Sequence, residues 1–273
     1  MGEKLAVLRT SKPFTITRLK AEFIKAGLKK GDTIIFHSAM GQAKWICGGA
    51  IAVIAALEEV ITPCGNIVMA AQTGGLSDPS SWENPPVPKS WWEEIRLEMP
   101  VFDKERTPCH HMGVIAETFR SLPDVMRSNH PYLSVTAWGK DAEYITENHP
   151  LDHGLGEKSP IGKLYQMKDS KVVLFGVDND ANTSLHLAEE RASTIPNRKN
   201  QAYFIENGKR VLKQFEEAHY DSERFIAIGK AYEQQKGNCT TNLAGAGAKI
   251  YPLKDLVDFG THYLNQPSFT DIS

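Results

Sequence analysis

Residues 32–71 read DTIIFHSAMGQAKWICGGAIAVIAALEEVITPCGNIVMAA. Asp32 to His37 is a short apolar run closed by a glycine-containing loop, the pattern of a buried strand. After Gly48 and Gly49 the segment AIAVIAALEEVI is helical in character, and Thr62-Pro63-Cys64-Gly65 stops it. Asn66 to Ala71 gives a second buried strand. Strand, loop, helix and strand in this order predict a βαβ unit in a covered sheet, and so an α/β protein.

Working outward, Leu19, Phe23 and Ile24 recur at helical spacing behind Thr15, with Gly27 as a stop. GVIAETFRSL, DAEYITENH, DSERFIAIGKAYEQQ and KDLVDFGTHYL are further predicted helices, and SVTAWG is a strand. KVVLFGV (Lys171 to Val177) reads as a central strand, and AYFIENGKRVLKQFEEAH as a hairpin turned at Asn207-Gly208. Between Gln72 and about Met112 lies a long loop rich in proline and tryptophan, including WENPPVPKSWW. Trp82, Trp91 and Trp92 there serve equally well as anchors to the core or as a ligand wall. Neither a repeat nor a convincing linker divides the chain, so residues 1–273 are expected to form one domain.

The 273 residues carry 31 basic and 33 acidic side chains, 41% hydrophobic residues and a formal charge of −2. That composition excludes intrinsic disorder and gives no electrostatic footprint for a nucleic-acid partner. The longest apolar run, around Ala50 to Leu57, falls far short of the roughly 20 residues that cross a bilayer. The N-terminus lacks the apolar core of a signal peptide, and a cytoplasmic location without membrane partners is expected. Cys47, Cys64, Cys109 and Cys239 stand far apart, which argues against both a disulfide framework and a zinc ribbon.

Chemistry concentrates in two places. The strand ending at Val177 delivers DNDANTSLHLAEE to its carboxyl edge, where α/β sheets place their sites. Asn182 or Thr183 can cap the helix that follows, and His186 precedes Glu189 by three residues and Glu190 by four. Either carboxylate can bond one ring nitrogen and raise the basicity of the other, which suits deprotonation of an amine or alcohol. An ordinary surface His–Glu pair is the competing reading. Zinc is disfavoured, because HEXXH is absent and the inverted motif HxxEH fails at Glu190.

HSAMGQAKWICGG places glycines and backbone N–H groups before a helix, the makings of an anion cradle. Cys47 at that position is either a nucleophile or, as most cysteines are, inert. Lys104 and Arg106, ahead of His110 and His111, suit phosphate neutralisation or a solvated loop. HPLDHGLGEKSPIGKLY suggests tight turns, and spacing assigns its polar groups no role.

Taken together, these segments resemble the aminoglycoside 3-N-acetyltransferase (antibiotic N-acetyltransferase) family. The likeness rests on HSAM…GGA (His37 to Ala50), TPCHHMG (Thr107 to Gly113) and HP…S…AWG (His130 to Gly139). HPLDHGLGEKSPIGKLY (His149 to Tyr165) and NTSLHLAE (Asn182 to Glu189) match most closely, and GAGAKIYPLKDLVDFG is similar to the family's closing segment. The pieces cover nearly the whole chain in the family's order. The chain departs at Ala39, where relatives often have serine, at Cys47, where an aliphatic residue is usual, and at His110-His111, which replace a segment often containing arginine.

The resemblance implies a single three-layer α/β/α domain with a mixed sheet, distinct from the GNAT acetyltransferases. It implies acetyl-CoA as donor, no metal, and the 3-amino group of an aminoglycoside as acceptor. His186 becomes the general base, Glu189 its orienting carboxylate and Thr183 a donor to the thioester oxygen or the developing oxyanion. His37, Ser38, Ala39 and Met40, with Lys44, Trp45, Ile46, Cys47, Gly48 and Gly49, are the implied cradle of pantetheine and phosphates. Thr73, Thr107 and Met112 are implied further walls of the cofactor groove. Asp180 and Asp152 are expected to grip the acceptor. The alternatives are another amine acceptor, or a non-catalytic CoA-binding protein of the same fold.

Overall fold

The computed structural model describes residues 2–83 and 85–266; Asn84 in the tryptophan-rich stretch, Met1 and residues 267–273 lie outside them. The chain begins with α1 (Gly2–Leu8) and α2 (Ile16–Lys25), then β1 (Thr33–Ser38), α3 (Gly49–Ile61) and β2 (Asn66–Ala70). Next come α4 (Trp92–Glu98), α5 (Gly113–Arg120), β3 (Met126–Arg127), β4 (Val135–Gly139), α6 (Ala142–Thr146) and α7 (Pro160–Gln166). The last part holds β5 (Lys171–Phe175), α8 (His186–Arg191), β6 (Asn197–Glu206), β7 (Lys209–Ala218) and α9 (Arg224–Lys236). It closes with β8 (Thr240–Leu243), β9 (Ala246–Pro252) and α10 (Leu253–Leu264).

Among the described residues, seven strands form one sheet in the order β3-β4-β2-β1-β5-β9-β8. β1 pairs in parallel with β2 on one side and β5 on the other, so Ile35 lies beside both Val68 and Val172. β4 and β9 flank this parallel centre antiparallel. Side chains alternate across β1: Ile34 and Phe36 enter the core covered by α2, α3 and α5, while Ile35 enters the core under α6 to α10. Helices on both faces of a mixed sheet make the three-layer α/β/α architecture that the resemblance implies. Burial of side chains such as Ile34, Ile35, Ile54 and Leu57, all fully enclosed, contributes roughly 1.5–3 kcal/mol each.

Local chemistry sets the element ends. Thr15 caps α2 by accepting from the Arg18 N–H, and Ser159 accepts from the Ile161 and Gly162 N–H groups ahead of Pro160 at the start of α7. Asn207 and Gly208, with φ of 52° and 74°, form the left-handed turn that lets β6 and β7 pair residue for residue. The hairpin is a separate two-stranded sheet whose Ala202 and Phe215 join the core on the Ile35 side.

The long stretch after Gln72 is strapped onto this hairpin. Asp78 accepts two hydrogen bonds from Arg96, both at 2.8 Å, and one from the Gln201 side chain of β6. Burial by itself would raise the Asp78 pKa, but these bonds and those from Ser80 outweigh it and hold the carboxyl well below its ordinary range. Trp82 donates to Ser77 Oγ, Trp92 lies under Lys89 and Arg96, and Trp91 is exposed.

Candidate active site

The carboxyl ends of β1, β2 and β5 open onto one cleft, as expected where a parallel sheet reverses its strand order about β1. His37, Ser38 and Ala39 come from the end of β1, Ala70 and Gln72 from β2, and Val177, Asp180, Ala181 and Thr183 from the turn after β5. Gly176, at φ 68°, makes the sharp exit from β5; a side chain there would meet the Ala39 carbonyl at 2.8 Å. The cleft holds about 490 Å³.

His186 stands on its wall at the start of α8. Its Nδ1 lies 2.7 Å from Glu189 Oε2, and Glu189 is fully buried. The other oxygen of Glu189 accepts from the Arg224 guanidinium at 2.8 Å and from the Asp221 N–H at 3.0 Å. Both carboxylate oxygens are therefore occupied, and a negative charge fits where a buried neutral acid would leave donors unsatisfied. An ionised Glu189 makes Nδ1 the protonated ring nitrogen and leaves the Nε2 lone pair to act as a base. The rings of Tyr220 and Phe225, each centred 4.8 Å from the imidazole, fix its plane. Glu190 points elsewhere, to His153 Nδ1 at 2.6 Å and to the Tyr220 hydroxyl.

The loop presenting Thr183 is anchored from below. Asn182 Oδ1 accepts from the Ser184 N–H at 3.1 Å, and Asn179 donates to the Tyr251 hydroxyl at 3.0 Å. Asp178 accepts from Lys249 on β9 at 2.7 Å. Across the cleft His37 is almost wholly enclosed, and burial, reinforced by repulsion from His186, lowers its pKa to about 4. A second cavity of about 640 Å³, lined by Thr73, Arg106, Thr107 and His110, adjoins the first; the His110 N–H donates to the Gln72 carbonyl where they meet.

Sequence and structure comparisons decide the family. The model of the family described as aminoglycoside 3-N-acetyltransferase matches residues 35–265. The chain belongs to this family. It is 44% identical to a Bacillus subtilis SPbeta prophage-derived aminoglycoside N(3')-acetyltransferase-like protein, YokD, with 94% of each chain covered. The YokD crystal structure superposes with a TM-score of 0.93 at 41% identity, covering 97% of this chain and 98% of the other. A structure of AAC-IIIb as a binary complex with CoASH gives a TM-score of 0.81 at 28% identity, covering 93% and 97%. Its fellow members are acyltransferases of this α/β/α type, not of the GNAT type.

Within this acetyltransferase, the structure gathers His37, Ser38, Ala39, Met112, Asp180, Thr183 and His186 around one cleft, with Glu189 behind His186. Thr73 and Thr107 line the adjoining cavity. Met40 and Lys44 to Gly49 lie outside both: the Trp45 carbonyl and the Cys47 N–H pair with Phe14, and Ile46 is buried beside it in the core. Asp152 also lies outside, accepting from the Glu216 N–H at the hairpin's base. None of Trp82, Trp91 and Trp92 lines either cavity. Sequence reasoning passed over Arg224, Tyr220 and Ser222, which reach the site from a segment that shows only an ordinary helical pattern, and Gln72 at the end of β2.

Proposed function

We propose that this acetyltransferase moves the acetyl group of acetyl-CoA onto the 3-amino group of an aminoglycoside, with His186 as general base. The observation that carries the reading is the pairing of His186 Nδ1 with buried, doubly bonded Glu189 at the wall of an open cleft. An aminoglycoside amine is largely protonated at neutral pH, so one proton must first leave to solvent to give the free amine, and a base must take a second as the nitrogen bonds to the thioester carbon. His186 Nε2 receives that proton, and Glu189 stabilises the imidazolium that results. Thr183 is assigned the hydrogen bond to the thioester oxygen. Asp180, exposed at the cleft, attracts the cationic acceptor. Holding both reactants together lowers the barrier further, since attack becomes effectively unimolecular.

A second reading keeps the donor and changes the acceptor to a less cationic amine. It is favoured by Asp180 being the one carboxylate among the described residues that line the cleft. Release of CoA from acetyl-CoA, followed with a thiol reagent across an aminoglycoside panel with acceptor-free controls, separates the two. Acceptor-dependent release with loss of turnover in His186→Ala supports the first. CoA binding by calorimetry without turnover on any aminoglycoside supports the second.

A further inference from the structure

We propose that His37 is a second catalytic imidazole, which stays neutral and donates a hydrogen bond to the thioester oxygen as negative charge develops there. This rests on the acetyl-transfer reading above. His37 lies at the carboxyl end of β1, lines the same cleft as His186, and is 7% exposed. Its Nε2 is buried without a hydrogen-bond partner. Side chains this deep normally find one, since an unpaired buried polar atom costs free energy. The ring lies on a ligand cleft, and we take the bound thioester to supply the missing partner, which requires the cover over Nε2 to give way as the ligand binds.

Protonation state separates the work of the two imidazoles. His186 is backed by a carboxylate and accepts a proton; among the described residues no carboxylate stands behind His37, which has only enclosure and a histidine opposite. Charging His186 during turnover opposes charge on His37, so the second ring remains a neutral donor throughout. Neutrality also avoids repelling a cationic amine. In the step itself the amine lone pair forms the N–C bond and the carbonyl pair moves onto oxygen, where His37 meets it. When that pair returns, the C–S bond breaks and CoA leaves as thiolate, while the nitrogen's proton goes to His186. His37 gains and loses no proton.

The test compares His37→Phe and His37→Gln in the full chain, with an aminoglycoside that the parent enzyme turns over. The phenylalanine variant is expected to lose about 10²-fold or more in kcat while the CoA Kd moves less than about threefold. The glutamine variant, which restores an N–H, is expected to recover about tenfold of that loss. The acid limb of kcat/KM stays in place in both, because burial lowers the His37 pKa to about 4, below the range in which that limb is read. A CoA Kd that weakens in step with kcat/KM, a glutamine variant no better than phenylalanine, or a displaced acid limb would each overturn the inference. His186→Ala run alongside keeps the failures apart: activity surviving there defeats the general-base reading. Its loss, with full activity in His37→Phe, defeats only the role of His37.

Discussion

Glu189 and Glu190 follow one another on α8 and face different partners. One residue of helix turns a side chain by about 100°, so Glu189 reaches His186 and Arg224 while Glu190 reaches His153 and Tyr220. Glu189→Gln keeps the shape of the side chain and removes the charge that stabilises an imidazolium. We expect it to lower kcat by about 10²–10⁴-fold with little change in the KM for acetyl-CoA. Glu190→Gln, which touches His186 only through Tyr220, is expected to stay within about tenfold of the parent. Steady-state kinetics of the two variants check this, and the reverse ranking would remove Glu189 from the mechanism. Spacing in NTSLHLAEE made His186 and a carboxylate legible but left both glutamates open. The choice is made by Arg224 and Tyr220, whose approach to α8 is a tertiary event with no local signature.

At the scale of elements, apolar strands and capped helices were readable because their cause is local. β1, α3 and β2 have the expected places, and Asn207-Gly208 turns the hairpin. Short β3 and the edge strand β8, whose Thr240-Thr241-Asn242 is largely exposed, carry no apolar run; neighbouring strands define them by pairing. The strap from Asp78 to Arg96 was equally hidden, because its partner Gln201 lies 123 residues from Asp78 in sequence. Asp78→Ala leaves Arg96 without its carboxylate, and with Arg96 about a third exposed the expected cost is on the order of 2 kcal/mol. The strap should then open ahead of the core. Limited proteolysis should show faster cleavage between residues 83 and 106, and cleavage at the parent rate would show that the ion pair does not hold this segment down.

Over the whole molecule, three enclosed imidazoles join the two halves of the core to a common pH dependence. His37 and His149 are both lowered to about 4 chiefly by burial, and His130 is lowered well below its ordinary value by burial and by His149 beside it. His149 makes bonds of 2.8 Å to Ser128 Oγ and 2.7 Å to the Gly154 carbonyl, so its neutral ring is part of the packing. A histidine whose folded pKa is depressed binds more protons unfolded than folded. Its contribution is fully present above about pH 6.5 and is lost as pH falls towards the folded value. His37 and His149 together should therefore remove on the order of 5 kcal/mol of stability between pH 6.5 and 4.5, comparable with the whole stability of an ordinary domain. Glu117, lowered to about 2 mainly by its bond from Arg120, acts in a lower window, losing its contribution as pH falls below about 4.5. Urea unfolding at pH 7, 6, 5 and 4.5 separates the two groups. The histidine account requires a steep fall already between pH 6 and 5, and a flat curve down to 4.5 would reject it.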